Sequence, residues 1–259
     1  MSDLSALAGL RLHYLDEGPK DARRTWLLVH GHPTWNYVFR DLIPVLLAAG
    51  DRVVAPDLIG FGKSDKPKKE AVHRLQWHAQ VLQELVERLD LQNTVLVAHG
   101  MSTLLAMAVP SVAAHRFAGL VTVNGWVPGD GEPAKPLQQW QDQLARKPNL
   151  SIGGDAAWNA PYPDVGYRAA VRAFAANMLG DEDAIWAREV LDFWRTQGDH
   201  RALVIAGTDD AFVDERAARQ LLQRLDGKAD LLIVPRLDHF ISEHGADVAK
   251  HAVEYFTPF

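Results

Sequence analysis

Thr94-Val95-Leu96-Val97-Ala98-His99-Gly100-Met101-Ser102-Thr103 is the stretch that decides how this chain reads. From Thr94 to Ala98 the run is short, apolar and rich in β-branched residues, the pattern of a strand buried on both faces. Gly100 punctuates it as a turn residue, and Ser102–Val109 has the length and apolar content of a helix. A strand that passes through a tight turn straight into a helix is the unit of an α/β fold.

Outward from this stretch the same unit recurs. Leu12–Tyr14, Trp26–His30, Arg52–Pro56, Gly119–Val123, Ala202–Ala206 and Leu231–Val234 read as further strands bounded by turn residues. Between most of them lie amphipathic, helix-length segments: Tyr37–Ala49, His78–Leu89, Asp214–Leu225 and Ala246–Phe256. The alternation predicts a mostly parallel central sheet flanked by helices on both faces. Residues 128–196 break the rhythm. They offer no clear strand, are rich in Pro, Gly and Trp, and carry helical stretches at Leu137–Arg146, Asp164–Met178 and Glu182–Arg195. This segment is expected to be an inserted helical cap over a core made of residues 1–127 and 197–259, covering the crevice at the carboxyl ends of the strands.

Composition narrows the partners. A chain of 259 residues that is 47% apolar can bury a full core. Its net charge of -6, with scattered basic residues, argues against nucleic acid and anionic membranes and for a small apolar ligand. There is no cysteine, which removes disulfides, thiolate catalysis and Cys-based metal sites and fits a reducing compartment. The N-terminus lacks the pattern of a signal peptide and no apolar run approaches membrane-spanning length, so a cytoplasmic location is expected. No His/Asp/Glu spacing suggests a metal, and Gly60-Phe61-Gly62 reads as a loop turn, not a dinucleotide fingerprint, so no cofactor is expected.

Four further stretches carry a family resemblance: His30-Gly31-His32-Pro33-Thr34-Trp35-Asn36-Tyr37, residues 53–67 around Asp57-Leu58-Ile59-Gly60-Phe61-Gly62, residues 85–91, and Trp158-Asn159-Ala160-Pro161-Tyr162-Pro163-Asp164. With them the chain resembles the haloalkane dehalogenases of the α/β-hydrolase superfamily over nearly its whole length, beginning at what looks like that family's second strand. Ala98-His99-Gly100-Met101-Ser102 then corresponds to the nucleophile elbow, which has small residues at both ends and Ser, Asp or Cys at its centre. Here the centre is Gly100.

The resemblance implies a base at His239, within Asp238-His239-Phe240-Ile241-Ser242-Glu243, and an orienting acid at Asp210, with Asp209 as the alternative. A second branch of the family places its acid one strand earlier, where this chain has Asn124. The implied oxyanion hole is the backbone N–H groups of Met101 and His32, which survive side-chain substitution. The family's nucleophilic aspartate corresponds to Gly100 and its halide-holding tryptophan to Met101, so both groups are missing. Trp140 and His32 stand where further halide donors would be.

Gly at the centre of the elbow also relieves backbone strain of about 1–3 kcal/mol, so loss of function followed by relaxation is coherent. Ser102 reads as a packing residue, His99 and His30 as buried hydrogen-bonding residues, and Trp140, Trp158 and Phe174 as cap aromatics that pack and in part line a pocket. Four functions stay open: a hydrolase in which His239 activates water, a non-catalytic ligand-binding protein, a cofactor-free general-base enzyme, and a dehalogenase carrying an inactivating substitution.

Overall fold

The computed structural model describes residues 1–129, 134–147, 149–177, 181–196, 200–241 and 244–257. Seven strands form one sheet: β1 Tyr14–Glu17, β2 Thr25–Val29, β3 Arg52–Pro56, β4 Thr94–His99, β5 Phe117–Val123, β6 Arg201–Gly207 and β7 Ala229–Val234, in the order β1-β3-β2-β4-β5-β6-β7. β1 pairs antiparallel with β3, and every other pairing is parallel. β2, β3 and β4 are buried along their whole length, which is why each reads as an unbroken apolar run.

Helices α1 Ile43–Ala48, α2 Leu75–Arg88, α3 Thr103–Met107, α8 Glu215–Arg224 and α9 Gly245–Phe256 flank the sheet. α2 buries Leu75, Ala79, Leu82, Leu85 and Val86, a stripe at three- and four-residue spacing, and α9 does the same with Val248, Ala249 and Ala252. Asp214 caps α8 by accepting from the Ala217 N–H. Between β5 and β6 lie α4 Lys135–Arg146, α5 Ala156–Asn159, α6 Ala169–Asn177 and α7 Asp181–Thr196. α4 packs on α6, and Trp194 of α7 donates to the Met107 carbonyl at 2.9 Å, tying the segment to α3.

Several elements differ in extent from the sequence expectation. The first strand begins at Tyr14 because ladder pairing starts at Tyr14↔Pro56, while Leu12 turns into the core. The expected helix 37–49 divides into a 3-10 turn, Asn36–Phe39, and α1, whose second residue is Pro44. Proline has no N–H for the preceding turn, so the helix starts there. The helix after the elbow is likewise short, with Pro110 opening a 3-10 turn, Val109–Val112. The stretch expected from Asp164 is a 3-10 turn, Val165–Arg168, capped by Asp164, followed by α6; its expected end at Met178 lies outside the described residues, as do Ser242, Glu243 and the expected core boundary at 197. Among the described residues no helix is long and apolar enough to cross a membrane.

Candidate active site

The candidate residues meet at the carboxyl end of the sheet. β4 ends at His99, and the chain turns at Gly100, whose φ of +55° lies in the left-handed region that favours glycine. The Gly100 carbonyl is held by the Thr103 hydroxyl at 2.8 Å and the Trp126 N–H at 3.3 Å. A Cβ built on Gly100 would meet the Cε1 and Nε2 atoms of His239 at 3.4 Å and Gly31 Cα at 3.7 Å, with nothing nearer. The direction in which a side chain at position 100 would project is therefore the direction of the His239 imidazole.

His239 follows β7 and is 2% exposed. Its Nδ1 lies 2.8 Å from Asp210 Oδ2, and its Nε2 is buried with no hydrogen-bond partner. Asp210 Oδ1 in turn accepts from the N–H groups of Phe212 and Val213 at 2.7 and 2.9 Å. Burial raises the Asp210 carboxyl, but the charge and hydrogen bond of His239 and these two N–H groups outweigh it, so the net shift is downward. Nδ1 of His239 is thus anchored to Asp210, and Nε2 lies in the direction of a side chain at Gly100. Asp209, the alternative acid, receives the Thr208 hydroxyl instead.

Two further side chains, His99 and Asn124, clamp this arrangement. His99 accepts from the Gly31 N–H at Nδ1 (3.0 Å) and donates from Nε2 to the His239 carbonyl (2.7 Å), so it fastens the loop after β2 to the loop after β7. Its burial, with the nearby His239, drives its pKa down to about 3 and keeps it neutral. Asn124 accepts from the Gly207 N–H and donates to the Asp238 carbonyl, both at 2.8 Å. Its amide braces the loop that carries His239. Gly207 is required there, because a Cβ would strike the Leu237 carbonyl oxygen at 2.0 Å.

The remaining candidates divide by distance. Trp140 stacks on Phe212 with centroids 4.0 Å apart and meets the His239 ring edge-on at 5.5 Å. Phe212 and Phe240 also contact that ring, at 5.1 and 5.7 Å, so three aromatic side chains lie against His239. No periodicity announces Phe212 or Phe240; their only sequence signal is proximity to Asp210 and His239. Met101 is buried directly after the elbow. His32 donates from Nε2 to the Val171 carbonyl at 2.8 Å and stacks on Phe174, while its Nδ1 is buried without a partner. Burial lowers its pKa to about 3. Neither the Met101 nor the His32 N–H donates a hydrogen bond among the described residues. His30 is structural: it donates to the Gly31 carbonyl and accepts from Leu58 N–H. Ser102 is fully buried, inside the 3-10 turn that continues from the elbow. Trp158 packs between Tyr37 and Phe240. Among the described residues no cluster of three or more His, Cys, Asp or Glu side chains could hold a metal ion.

The geometry defines an α/β-hydrolase, and residues 26–174 match the alpha/beta hydrolase fold family. Within that fold the chain belongs to the haloalkane dehalogenase family. It is 32% identical to a haloalkane dehalogenase of Mycobacterium marinum across 95% of this chain and 89% of that protein. It is 38% identical to one of Psychrobacter cryohalolentis across 67% of this chain, spanning 62% of that protein, less than two thirds of its length. The tetrameric haloalkane dehalogenase of Paraglaciecola agarilytica NO2 superimposes with a TM-score of 0.89 at 32% identity, covering 100% of this chain and 92% of that one.

Proposed function

We infer that this chain is a hydrolase of small apolar organic substrates that works through His239 and Asp210 with no covalent nucleophile at Gly100. Residues 128–196 act as a cap over the core of residues 1–127 and 197–259, with the substrate between them. One observation carries the reading: the buried Nε2 of His239 has no partner and lies 3.4 Å from the Cβ direction of Gly100, while Nδ1 is anchored to Asp210. An imidazole held in this way is a base aimed at a water standing against a substrate carbonyl. The Met101 and His32 amides then stabilise the oxyanion, and Trp140 and His32 lie against the substrate.

Esters, lactones and activated acyl compounds suit this arrangement. Alkyl halides do not, because their displacement needs a carboxylate at position 100 and donors for the departing halide. A cysteine-free chain of net charge -6 suits a cytoplasmic, cofactor-free protein with neither nucleic-acid nor membrane partners.

Turnover of p-nitrophenyl acetate tests the reading. General-base catalysis contributes about 10²–10⁴-fold, so His239→Ala loses activity by that order, and mass spectrometry finds no acetylated wild-type protein during turnover. Equal turnover in wild type and His239→Ala, with an apolar ligand still bound, would instead establish the non-catalytic binding protein.

A further inference from the structure

Helix α6 is seated on the core against a cluster of three histidines. His32, in the loop after β2, donates from Nε2 to the Val171 carbonyl at 2.8 Å and stacks on Phe174. His78 of α2 meets the same Phe174 ring edge-on at 4.8 Å and lies parallel to His73, with centroids 5.7 Å apart. His73 donates from Nε2 to the Pro67 carbonyl at 3.0 Å. The fit leaves no slack, because a Cβ on Gly60 would strike Ala170 Cβ at 2.2 Å and His73 Cε1 at 3.0 Å. All three rings are at most 2% exposed, and each has one buried nitrogen without a hydrogen-bond partner: His32 Nδ1, His73 Nδ1 and His78 Nε2.

We propose that His32, His73 and His78 form an acid-sensitive latch, in which protonation of their orphaned nitrogens releases α6 from the core while the sheet stays folded. A carbonyl can only accept, so in His32 and His73 the bonded Nε2 carries the proton and Nδ1 is where the next one adds. With α6 seated, that new N–H and its charge would be buried without an acceptor; with α6 lifted, water solvates both. Neighbouring charges do not offset the cost. Burial is the largest influence on all three rings and lowers them, His32 to about 3 and His78 well below 6.5. His30 depresses His32 and His78 further, as His239 does His32 and His73 does His78. Glu70 opposes the shift at His73 but is paired with Arg172 of α6 at 2.6 Å. Arg168, just before α6, donates to the Leu150 carbonyl and Asn159, and Asp57 acts on His30. Arg74 and Asp183 of α7 line the groove that His73 and Phe174 also border.

Because the folded values lie below the unfolded one, seating is fully stabilised above pH 6.5 and weakens as pH falls below it. Each ring that opening exposes raises the opening constant by up to about 25-fold between pH 7 and pH 5. That this opening uncovers the substrate rests on the proposed reading of residues 128–196 as a cap.

Native-state hydrogen exchange of the full chain at pH 7, 6 and 5, with each rate divided by the intrinsic rate at that pH, reads the opening without any turnover. The opening constant of the Ala169–Asn177 amides is expected to rise at least about tenfold from pH 7 to pH 5 and to exceed that of Thr94–His99 at every pH. His78→Phe keeps a ring against Phe174 but takes up no proton, and is expected to cut that rise at least about threefold. His78→Gln serves as a second variant, both being checked for fold by circular dichroism, and the wild-type profile decides alone if neither folds. The proposal is overturned if α6 opening is independent of pH, if it matches Thr94–His99 throughout, so that α6 opens only with the whole chain, or if it rises as steeply in a folded His78 variant. Acid-driven opening of α6 in a chain that hydrolyses no ester would leave the latch standing and remove the hydrolytic reading.

Discussion

The two sides of the site have kept different things. On the β7 side every group is tied down: Asp210 is fixed by two N–H groups, His239 by Asp210 through its ring and by His99 through its carbonyl, and the adjoining loop by Asn124. On the β4 side the backbone turn is present, but Gly100 and Met101 contribute no reactive group. The difference separates two kinds of catalytic asset. On the proposed reading, backbone donors and a clamped His239–Asp210 pair belong to the fold's geometry, whereas a nucleophile is one side chain that can be exchanged without disturbing it.

The largest effects are expected on the clamped side. Asp210→Asn leaves the Nδ1 bond possible in shape but removes the charge that stabilises the imidazolium, and it is expected to lower p-nitrophenyl acetate turnover by about 10²-fold or more. An Asp210→Asn rate equal to wild type would show that the pair is only structural.

The exchangeable side is tested by putting back what it lacks. The wild-type chain is expected to release no halide above background from 1,2-dibromoethane, and the double variant Gly100→Asp, Met101→Trp to gain weak release, followed by a chloride- or bromide-sensitive assay. Release by the wild-type chain would require a nucleophile other than residue 100.

A third expectation concerns acid stability. His30, His32, His73, His78 and His99 all have pKa values lowered by burial from the ordinary 6.5. Between the folded and unfolded values the unfolded chain binds more protons, so the stabilisation is complete above pH 6.5 and is lost as pH falls below it. The slope is at most about 1.4 kcal/mol per pH unit for each histidine. A urea midpoint independent of pH between 6.5 and 4 would contradict the neutral, buried state of these rings.

The smallest effect is on the elbow itself. Gly100→Ala fits sterically but forces a side chain into φ of +55°, at a cost of about 1–2 kcal/mol in unfolding free energy. A neutral or stabilising Gly100→Ala would mean that the turn relaxes out of the left-handed region.

Much of the fold was legible because β2, β3 and β4 are buried on both faces and so read as continuous apolar runs. β1 begins later than the Leu12–Tyr14 run suggests, since its residues are half-buried or exposed and carry no such run. The break at Pro44 lies inside a helix-length apolar stretch, Tyr37–Ala49, whose periodicity masks it. In the site, the family resemblance points to His239 and Asp210, and the two side chains lie in hydrogen-bonding contact. The clamping by His99 and Asn124 was not legible. Each joins residues more than a hundred positions apart, and no local pattern encodes a contact of that range.

The central claim, that a competent base and oxyanion hole stand over an elbow lacking only its nucleophile, is tested most directly by Gly100→Ser. After reaction with p-nitrophenyl acetate, intact-protein and peptide mass spectrometry are expected to find one acetyl group on the introduced hydroxyl, preceded by a burst of nitrophenol and absent when His239→Ala is combined with it. A folded Gly100→Ser variant that never acquires the acetyl group, or acquires it equally without His239, would contradict the account.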